Sequence, residues 1–427
     1  MSESDPFLND SAELGGGRAH QEDVELGWRR LLVDAGRQVH EQPIVIKVLL
    51  GFAPLGFIAG FLGWNAVLVS VFNFLAIIPL SALISDASDT LANRWGSLLG
   101  GLVNATFGNT VELIVGILAI NQNEIRLAQS TMLGSILSDI LLVQGCCFIA
   151  AAHGTSILSV NAAIVDALSS LMLVAAVALI LPTILYSTLP KGGEDIDDKI
   201  LSFSRATAVV LLLIYVIFLY FQLWTHPSVF LDEKDDVHHE AHGDGIEDPQ
   251  QQQIDEATRE AIKSQEEDDT PSVSEVYSAV AILIISAALI TKCTQYFITS
   301  LDETAEYLHI TKTFIAIFLI PLASNAPELS QVVAASKQRK INFAIGVIIG
   351  SILQIALFVL PFLVVIGWYM GRAMDLYFET SQTYILLLAV LSVNQVLQDG
   401  KYTYFHGIML LSMYAVIALA IFIEPYN

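Results

Sequence analysis

Residues 108–113 read Gly-Asn-Thr-Val-Glu-Leu, and residues 324–329 read Ser-Asn-Ala-Pro-Glu-Leu. Each stretch places a glutamate in the middle of a long apolar run, with an asparagine three residues before it. In an α-helix this spacing brings the amide and the carboxylate onto one face. A carboxylate at bilayer depth is costly unless it is paired, protonated or hydrated, so two of them require a physical reason.

The two stretches are copies within a duplicated chain. They lie 216 positions apart, and at the same offset residues 134–137, Gly-Ser-Ile-Leu, recur as residues 350–353. Asp86 recurs as Asp302 in the same register. Three matches in one register indicate that each half of the chain contributes one acidic helix to a shared site.

The composition is that of a membrane protein. Hydrophobic residues make up 54% of the 427 positions, and the mean hydropathy is +0.61. Apolar runs of about 20 residues recur, which is the length that crosses a bilayer. The net charge is −23, and residues 232–269 alone contain 15 acidic side chains. This sign of charge argues against a nucleic-acid partner.

The three cysteines, Cys146, Cys147 and Cys293, lie in apolar runs and fit neither a disulfide framework nor a zinc site.

We predict an all-α polytopic membrane protein with eleven transmembrane helices. The predicted spans are residues 44–62, 66–84, 96–120, 127–152, 161–182, 205–224, 275–299, 311–335, 341–368, 382–398 and 404–423. The offset maps the third span onto the eighth and the fourth onto the ninth, so spans two to six and seven to eleven form two five-helix repeats. Because five is odd, the repeats enter the membrane in opposite orientations. Inverted repeats are typical of secondary transporters, whose substrate site lies near the midplane.

The chain divides into five predicted regions. They are a cytosolic N-terminal tail (1–43), an extra first helix outside the repeats (44–63), the first repeat (64–224), an acidic cytosolic connector with a predicted helix (225–274) and the second repeat (275–427). Arginines at positions 29, 30 and 37 precede the first span and favour a cytosolic N-terminus. The connector fits a solvated linker and a cation-sensing segment equally well.

The paired stretches predict a site for a hard cation. Calcium prefers six to eight oxygen ligands in irregular geometry. The candidate ligands are carboxylates, amide oxygens and hydroxyls from matched positions of the two halves: Glu112, Glu328, Asn109, Asn325, Ser135 and Ser351. Asp139, four residues after Ser135, and Gln354, in register with Ser138, are further candidates for the same cavity.

The local sequence also predicts that both acidic helices are broken. Pro327 lacks an N–H and cannot bond the carbonyl of Ala323, so the helix should break there. Gly108 loosens the matching point of the first half. Irregular backbone at membrane depth persists only where it is buried in protein or lines a cavity. Glycine and serine in the fourth and ninth spans would let those helices approach the broken helices closely.

The same carboxylates suggest how transport is coupled. A bound divalent cation neutralises both of them. Without it, two nearby anions in a low dielectric repel each other and are poorly solvated, so protons should replace the cation. One site with two mutually exclusive occupants predicts exchange of a cation for protons. Calcium and protons are then the transported ions, the lipid bilayer is the surrounding partner, and no cofactor is expected.

Three other interpretations remain open. The two glutamates could join helices through interhelical hydrogen bonds. A cation channel would also place acidic residues at the midplane, although two inverted halves favour alternating access over an open pore. An intramembrane enzyme could use paired carboxylates, but no nucleophile motif accompanies them.

Three stretches resemble one known superfamily. Residues 104–113 (Asn-Ala-Thr-Phe-Gly-Asn-Thr-Val-Glu-Leu), 74–80 (Phe-Leu-Ala-Ile-Ile-Pro-Leu) and 132–135 (Met-Leu-Gly-Ser) resemble the calcium/cation antiporter superfamily, specifically its cation/proton exchanger branch. From about residue 44 onward the chain is similar to fungal vacuolar calcium/proton exchangers. The resemblance implies eleven spans, an acidic helix in the connector, and calcium movement from the cytosol into an acidic vacuole. It also implies that the branch's ligand glutamates, asparagines and serines correspond to the six matched residues above.

The sequence departs from that branch at three places. Leu329 stands where a histidine is usual, Asp139 replaces a usual asparagine, and the Pro-Glu-Leu order at 327–329 looks more like the sodium-coupled members. The alternatives are therefore sodium- or potassium-coupled calcium exchange, and manganese as a second substrate. A homo-oligomer is also left open.

Overall fold

The computed structural model describes residues 33–40, 42–152, 157–160, 162–187, 196–225, 271–398 and 400–423. Within these ranges the chain is almost entirely helical. Most of the predicted N-terminal tail and of the predicted acidic connector, including its proposed helix at 254–262, lies outside the described residues.

The elements follow one another in chain order, with four short π-helices inside longer helical rods. They are α1 Ile44–Leu50, α2 Phe52–Leu62, α3 Ala66–Phe107, α4 Thr110–Asn121, α5 Ile125–Leu137, π1 Ser138–Val143, α6 Gln144–Ala151, β1 Leu158–Ser159, α7 Ala162–Ser187, α8 Ile196–Tyr220, π2 Phe221–Thr225, α9 Val273–Thr299, α10 Leu301–Leu308, α11 Lys312–Phe314, π3 Ile315–Leu319, α12 Ile320–Ser324, α13 Ala326–Lys337, α14 Ile341–Gln354, π4 Ile355–Val359, α15 Leu360–Tyr369, α16 Thr380–Leu397, β2 Lys401–Tyr402 and α17 Tyr404–Phe422. Residues 33–40 are also helical.

Many of these helices are long and apolar enough to cross a membrane. Nine such spans occur within the described ranges, and a tenth is obtained if the bent pair Leu301–Leu308 and Lys312–Ser324, which meet at 110°, counts as one. The chain is thus a polytopic helical membrane protein. The number eleven stays a prediction, because the segment Thr110–Asn121 is apolar but shorter than a full span.

The second and third predicted spans are not separated as expected. The single helix α3 covers 42 residues from Ala66 to Phe107, so the predicted gap at 85–95 is helical. That stretch is polar but contains neither proline nor glycine, and its residues cost a helix little. Polarity there lowers the hydropathy without ending the helix.

The duplication holds at the level of helix boundaries. Helices α4 (Thr110–Asn121) and α13 (Ala326–Lys337) begin and end at positions that differ by the same 216-residue offset. Helices α5 and α14 also begin at matched positions, and each continues into a π-helix, π1 or π4. A π-helix carries one extra residue per turn and is frequent at functional sites.

Two continuous helical rods occupy the centre of the protein. Buried residues make up 83% of the apolar window in Ile125–Ala151 and 72% in Ile341–Tyr369, against 17% in Ile44–Leu62. The strands β1 and β2 pair antiparallel, Leu158 with Tyr402, and join the two halves at one end. The outer helices expose apolar side chains as lipid-facing helices do, and the rods that carry the repeated Gly-Ser pair form the core.

Candidate cation site

Both acidic helices are broken where the sequence predicted it. Helix α3 ends at Phe107 and α4 begins at Thr110, with Asn109 at φ −107° and ψ 33° between them. In the second half α12 ends at Ser324 and α13 begins at Ala326, with Pro327 in its first turn. The breaks leave carbonyl groups at the ends of α3 and α12 without helical partners.

Each glutamate lies in the first turn of a half-helix. Glu112 is in the first turn of α4, and Glu328 is in the first turn of α13. The positive end of a helix dipole favours a carboxylate there. Neither Asn109 nor Asn325 caps its own helix with its side chain, so both amides are directed to other partners.

The two halves make reciprocal contacts at this point. The Ser351 hydroxyl lies within hydrogen-bond distance of Asn109 Oδ1, at 3.3 Å, and Asn325 Nδ2 donates to the Ser135 carbonyl over 3.4 Å. The 216-residue offset relates Asn109 to Asn325 and Ser135 to Ser351, so the two contacts join equivalent residues of opposite halves. Each asparagine therefore meets the serine-bearing helix of the opposite half, as expected for a site shared between repeats.

Asp139 is the most connected acid of the site. Its side chain is fully buried, and it accepts one hydrogen bond from Asn325 Nδ2 over 2.6 Å and another from the Ser351 hydroxyl over 3.0 Å. Both donors belong to the second repeat, whereas Asp139 belongs to the first. It also interacts electrostatically with Glu112 and Glu328, so three carboxylates share one region.

The two glutamates face the protein interior. Glu112 is 2% exposed, and its carboxylate lies beside the Ser324 hydroxyl. Glu328 interacts with Glu112 and with the Ser351 hydroxyl, and its Oε1 atom is buried without a hydrogen-bond partner among the described residues. A buried carboxylate oxygen without a partner is an open ligand position.

The carboxylates alone do not form a chelating group. No three His, Cys, Asp or Glu side chains in the described part of the chain are arranged to hold a metal ion. A calcium ion bound here would therefore take many of its oxygens from amides, hydroxyls and the carbonyls freed at the helix breaks. This donor set suits calcium, which binds neutral oxygens as well as carboxylates.

The structure brings the predicted site residues to the centre of the molecule. Six of the eight are buried: Asn109, Glu112, Ser135, Asp139, Asn325 and Gln354. Glu328 and Ser351 are partly exposed. Their roles as ligands stay a prediction. Sequence reasoning did not single out Ser324, because its counterpart is Gly108, which has no side chain and gave no matching signal.

The repeated glycines differ in their surroundings. A Cβ at Gly134 would lie 2.4 Å from the carbonyl oxygen of Ile317, so α5 and π3 are in backbone contact there. A Cβ at Gly350 would meet nothing within 4 Å. The expected close approach at a Gly-Ser pair is thus confirmed in the first repeat only.

Comparisons with known proteins agree with this architecture. The model of the sodium/calcium exchanger protein family matches residues 65–224 and 278–423. The chain is 36% identical over 379 residues to the vacuolar calcium ion transporter of Schizosaccharomyces pombe, covering 89% of this chain and 85% of that protein. It is 32% identical over 387 residues to the Ca(2+)/H(+) antiporter of Synechocystis, covering 89% of this chain and 98% of that protein.

A solved structure has the same fold. The crystal structure of the Ca2+/H+ antiporter protein YfkE superposes with a TM-score of 0.70 at 22% identity, covering 89% of this chain and 99% of that one. The family model matches the chain in two blocks, one in each predicted repeat. The chain belongs to the sodium/calcium exchanger protein family.

Proposed function

We propose that this protein is a secondary active antiporter that exchanges calcium for protons by alternating access. The observation that carries the proposal is the reciprocal pairing of the halves around three mutually interacting acids, two of which are glutamates at duplicated positions. Two curated relatives, one from a yeast and one from a cyanobacterium, are named a calcium ion transporter and a Ca(2+)/H(+) antiporter.

The coupling follows from charge balance at a buried site. A calcium ion neutralises two carboxylates and takes further oxygens from nearby neutral groups. When the cation leaves, the carboxylates are left in a low dielectric close to one another, and proton binding removes that repulsion. Glu112 and Glu328 supply this switch, because Glu112 is buried, Glu328 has a buried carboxylate oxygen, and each belongs to a different half.

The neutral groups orient and complete the site. We assign amide ligation to Asn109 and Asn325 and hydroxyl ligation to Ser135 and Ser351. Gln354 lines the same region. Asp139 adds a third carboxylate, which strengthens the attraction for a divalent over a monovalent cation.

The cellular setting is part of the proposal. The relative from Schizosaccharomyces pombe is named vacuolar. We place residues 1–43 and 225–274 of this chain in the cytosol. Calcium, with manganese as a second substrate, then moves from the cytosol into an acidic compartment as protons move outward. No resident cofactor takes part.

Transport in proteoliposomes tests this function. The full chain is reconstituted, calcium uptake is followed with an external indicator, and a proton, sodium or potassium gradient is imposed in turn. An outward proton gradient should drive calcium inward against its own gradient, with protons appearing outside. Uptake without proton movement would overturn the proposal, and downhill flux alone would indicate a channel.

Sodium- or potassium-coupled exchange is the second candidate. The position after Glu328 holds Leu329, which packs partly buried against the apolar core and brings no titratable group to the site. The sodium and potassium gradients in the same experiment separate the two candidates directly.

A further inference from the structure

The central rod of the first repeat contains polar atoms that have lost water without gaining a partner. The side chains of Thr131, Ser135, Ser138 and Gln144 are 0% exposed. Their hydroxyls, and both amide atoms of Gln144, have no hydrogen-bond partner among the described residues. Hydroxyls in helices often bond the carbonyl one turn back, but these do not.

Buried polar atoms are nearly always satisfied by protein or by ordered water. A water held between several such groups is itself a structural component of the interior. Gln144 is the strongest case, since its amide has two donors and an acceptor and none is used within the described chain. The atoms therefore indicate a hydrated line beside the cation site.

The π-helix aligns these groups along one face. In a π-helix the hydrogen bonds join residues five apart. Asp139 and Gln144 are five apart across π1 (Ser138–Val143), so Gln144 lies one turn beyond the acid. In the second repeat the corresponding residues are Ile355 and Leu360, which are both apolar and buried.

Helix α13 forms one wall of this line. Glu328, Val332 and Ser336 succeed one another at four-residue spacing, so they share a helix face. The Ser336 hydroxyl lies 3.2 Å from the Cys147 sulfur, and this contact turns that face toward α6. The line from Asp139 past Gln144 therefore runs between α6 and α13 toward the loop at residues 338–340.

Helix α17 forms the opposite wall. A Cβ at Gly407 would lie 2.5 Å from the Gly145 carbonyl oxygen, so α17 and α6 touch through their backbones. Two turns further along, the Tyr414 hydroxyl is in range of the Ser138 hydroxyl and the Asp139 carboxylate. It makes no hydrogen bond that meets the usual geometry among the residues described.

We infer that the groups of Ser138, Tyr414 and Gln144, here called the polar line, hold water and conduct protons between the cation site and the α6–α13 end of the protein. The inference rests on the proposed proton coupling. A proton passes along such a line by hopping, because each water accepts a proton on one side and donates one on the other. Nothing is consumed, and the proton that enters at one end is balanced by one that leaves at the other. Tyrosine and glutamine groups both donate and accept, so they stabilise water in either orientation.

The polar line predicts that proton conduction and cation passage can be separated. We compare Tyr414→Phe and Gln144→Leu with the parent in proteoliposomes, in two modes. The first mode is proton-driven calcium uptake. The second is exchange of isotopic calcium for calcium at equal pH on both sides, which needs no net proton movement. Both variants should slow the first mode roughly tenfold and leave the second within about twofold of the parent.

The control is Tyr402→Phe. The Tyr402 hydroxyl is buried and donates to the Leu397 carbonyl, so its loss should change the two modes equally or not at all. Tyr414→Phe keeps the ring that packs edge-on against Phe318, so it reads out the hydroxyl even if Gln144→Leu fails to fold.

Two results would overturn the polar line. One is an equal slowing of both modes by Tyr414→Phe, and the other is no slowing of either mode. If the parent itself moves calcium without protons, the proposed function fails and the polar line fails with it. If the parent is proton-coupled and the variants match it, only the polar line is lost.

Discussion

The two central rods of the protein have one backbone plan and two kinds of side chain. The rods Ile125–Ala151 and Ile341–Tyr369 start at matched residues, carry a Gly-Ser pair at matched positions and contain matched π-helices. The first rod is polar at several positions where the second is small or apolar. The contrasting pairs are Gln129 and Ile345, Ser130 and Gly346, Thr131 and Val347, Asp139 and Ile355, and Gln144 and Leu360.

This difference separates what duplication preserves from what it leaves free. The preserved features are the helix breaks, the glutamates and the asparagine–serine contacts, which together define a site with two equivalent walls. The divergent side chains give the first half an extra acid and a line of polar atoms without partners. At the matched positions the second half has apolar side chains. A symmetric scaffold can thus hold an asymmetric chemistry.

The largest effect is expected where the halves are alike. Glu112→Gln and Glu328→Gln should each reduce calcium transport by at least about 100-fold, because each removes one of the two duplicated carboxylates that are proposed to bind the cation and to accept protons when it leaves. Proton-driven uptake measures the loss, and thermal unfolding of the detergent-solubilised protein checks that the fold survives.

The exposed Glu306 on α10 provides the matched control. Glu306→Gln should transport like the parent. Near-normal turnover in either Glu112→Gln or Glu328→Gln would remove that residue from the mechanism and break the equivalence of the two walls.

The next effect separates the repeated glycines. Gly134→Ala places a methyl group 2.4 Å from the Ile317 carbonyl oxygen and 2.6 Å from its Cα, and backbone cannot move aside as a side chain can. Overpacking of this kind costs about 1–3 kcal/mol or more, so we expect a clear fall in the melting temperature and in the yield of folded protein.

Gly350→Ala is the control at the matched position. Nothing lies within 4 Å of the added carbon, and alanine favours the helix over glycine. Its melting temperature should equal or exceed that of the parent. Equal destabilisation by Gly134→Ala and Gly350→Ala would contradict a backbone contact between α5 and π3 at Gly134.

The sequence predicted the backbone of the site better than its contacts. The breaks at Gly108 and Pro327 follow from local chemistry, since one residue tolerates irregular backbone and the other removes a helical N–H. The 216-residue register then paired the correct helices. These features are encoded within a few residues of where they act.

The missed features depend on tertiary contacts. Spacing placed Asp139 on the face of Ser135, but its two donors come from the other half and no local pattern reveals them. Gln144 and Tyr414 are single polar residues in apolar runs, without a counterpart at the offset. Their importance becomes visible only when the neighbouring helices are shown to leave them without partners.

A moderate effect is expected from the acid that only one half possesses. Asp139→Asn keeps the shape and removes one negative charge: its amide oxygen can still accept from Asn325 Nδ2, and its N–H can donate to the Ser351 hydroxyl. Because the attraction for a divalent cation falls with the lost charge, the calcium concentration for half-maximal uptake should rise roughly tenfold. Ile355→Val, at the matched apolar position, should leave it within about twofold. No change in Asp139→Asn would mean that the third carboxylate is a structural remnant.

The smallest effect should distinguish the two asparagines. Asn325 donates to a carboxylate over 2.6 Å as well as to the Ser135 carbonyl, whereas Asn109 Oδ1 lies 3.3 Å from the neutral Ser351 hydroxyl. Bonds to charged groups contribute about 1.5–3 kcal/mol and neutral ones about 0.5–1.5 kcal/mol. Asn325→Ala should therefore weaken apparent calcium affinity several-fold more than Asn109→Ala. The measurement is half-maximal uptake at fixed pH on matched amounts of folded protein.

The ratio of the affinity losses in Asn325→Ala and Asn109→Ala distinguishes two roles for the asparagines, namely direct cation ligation and positioning of Asp139. If both amides act mainly as direct cation ligands, each alanine removes one neutral oxygen and the two losses should be equal. Asn325 could instead act mainly by holding Asp139 in place. In that case adding Asp139→Asn to Asn325→Ala should lower the apparent calcium affinity little further, because the two changes act on the same contact. Asn109 and Asp139 share only the Ser351 hydroxyl, so Asn109→Ala and Asp139→Asn should couple less strongly than Asn325→Ala and Asp139→Asn. Additive losses in the Asn325 and Asp139 pair would show that Asn325 does not act by holding Asp139 in place.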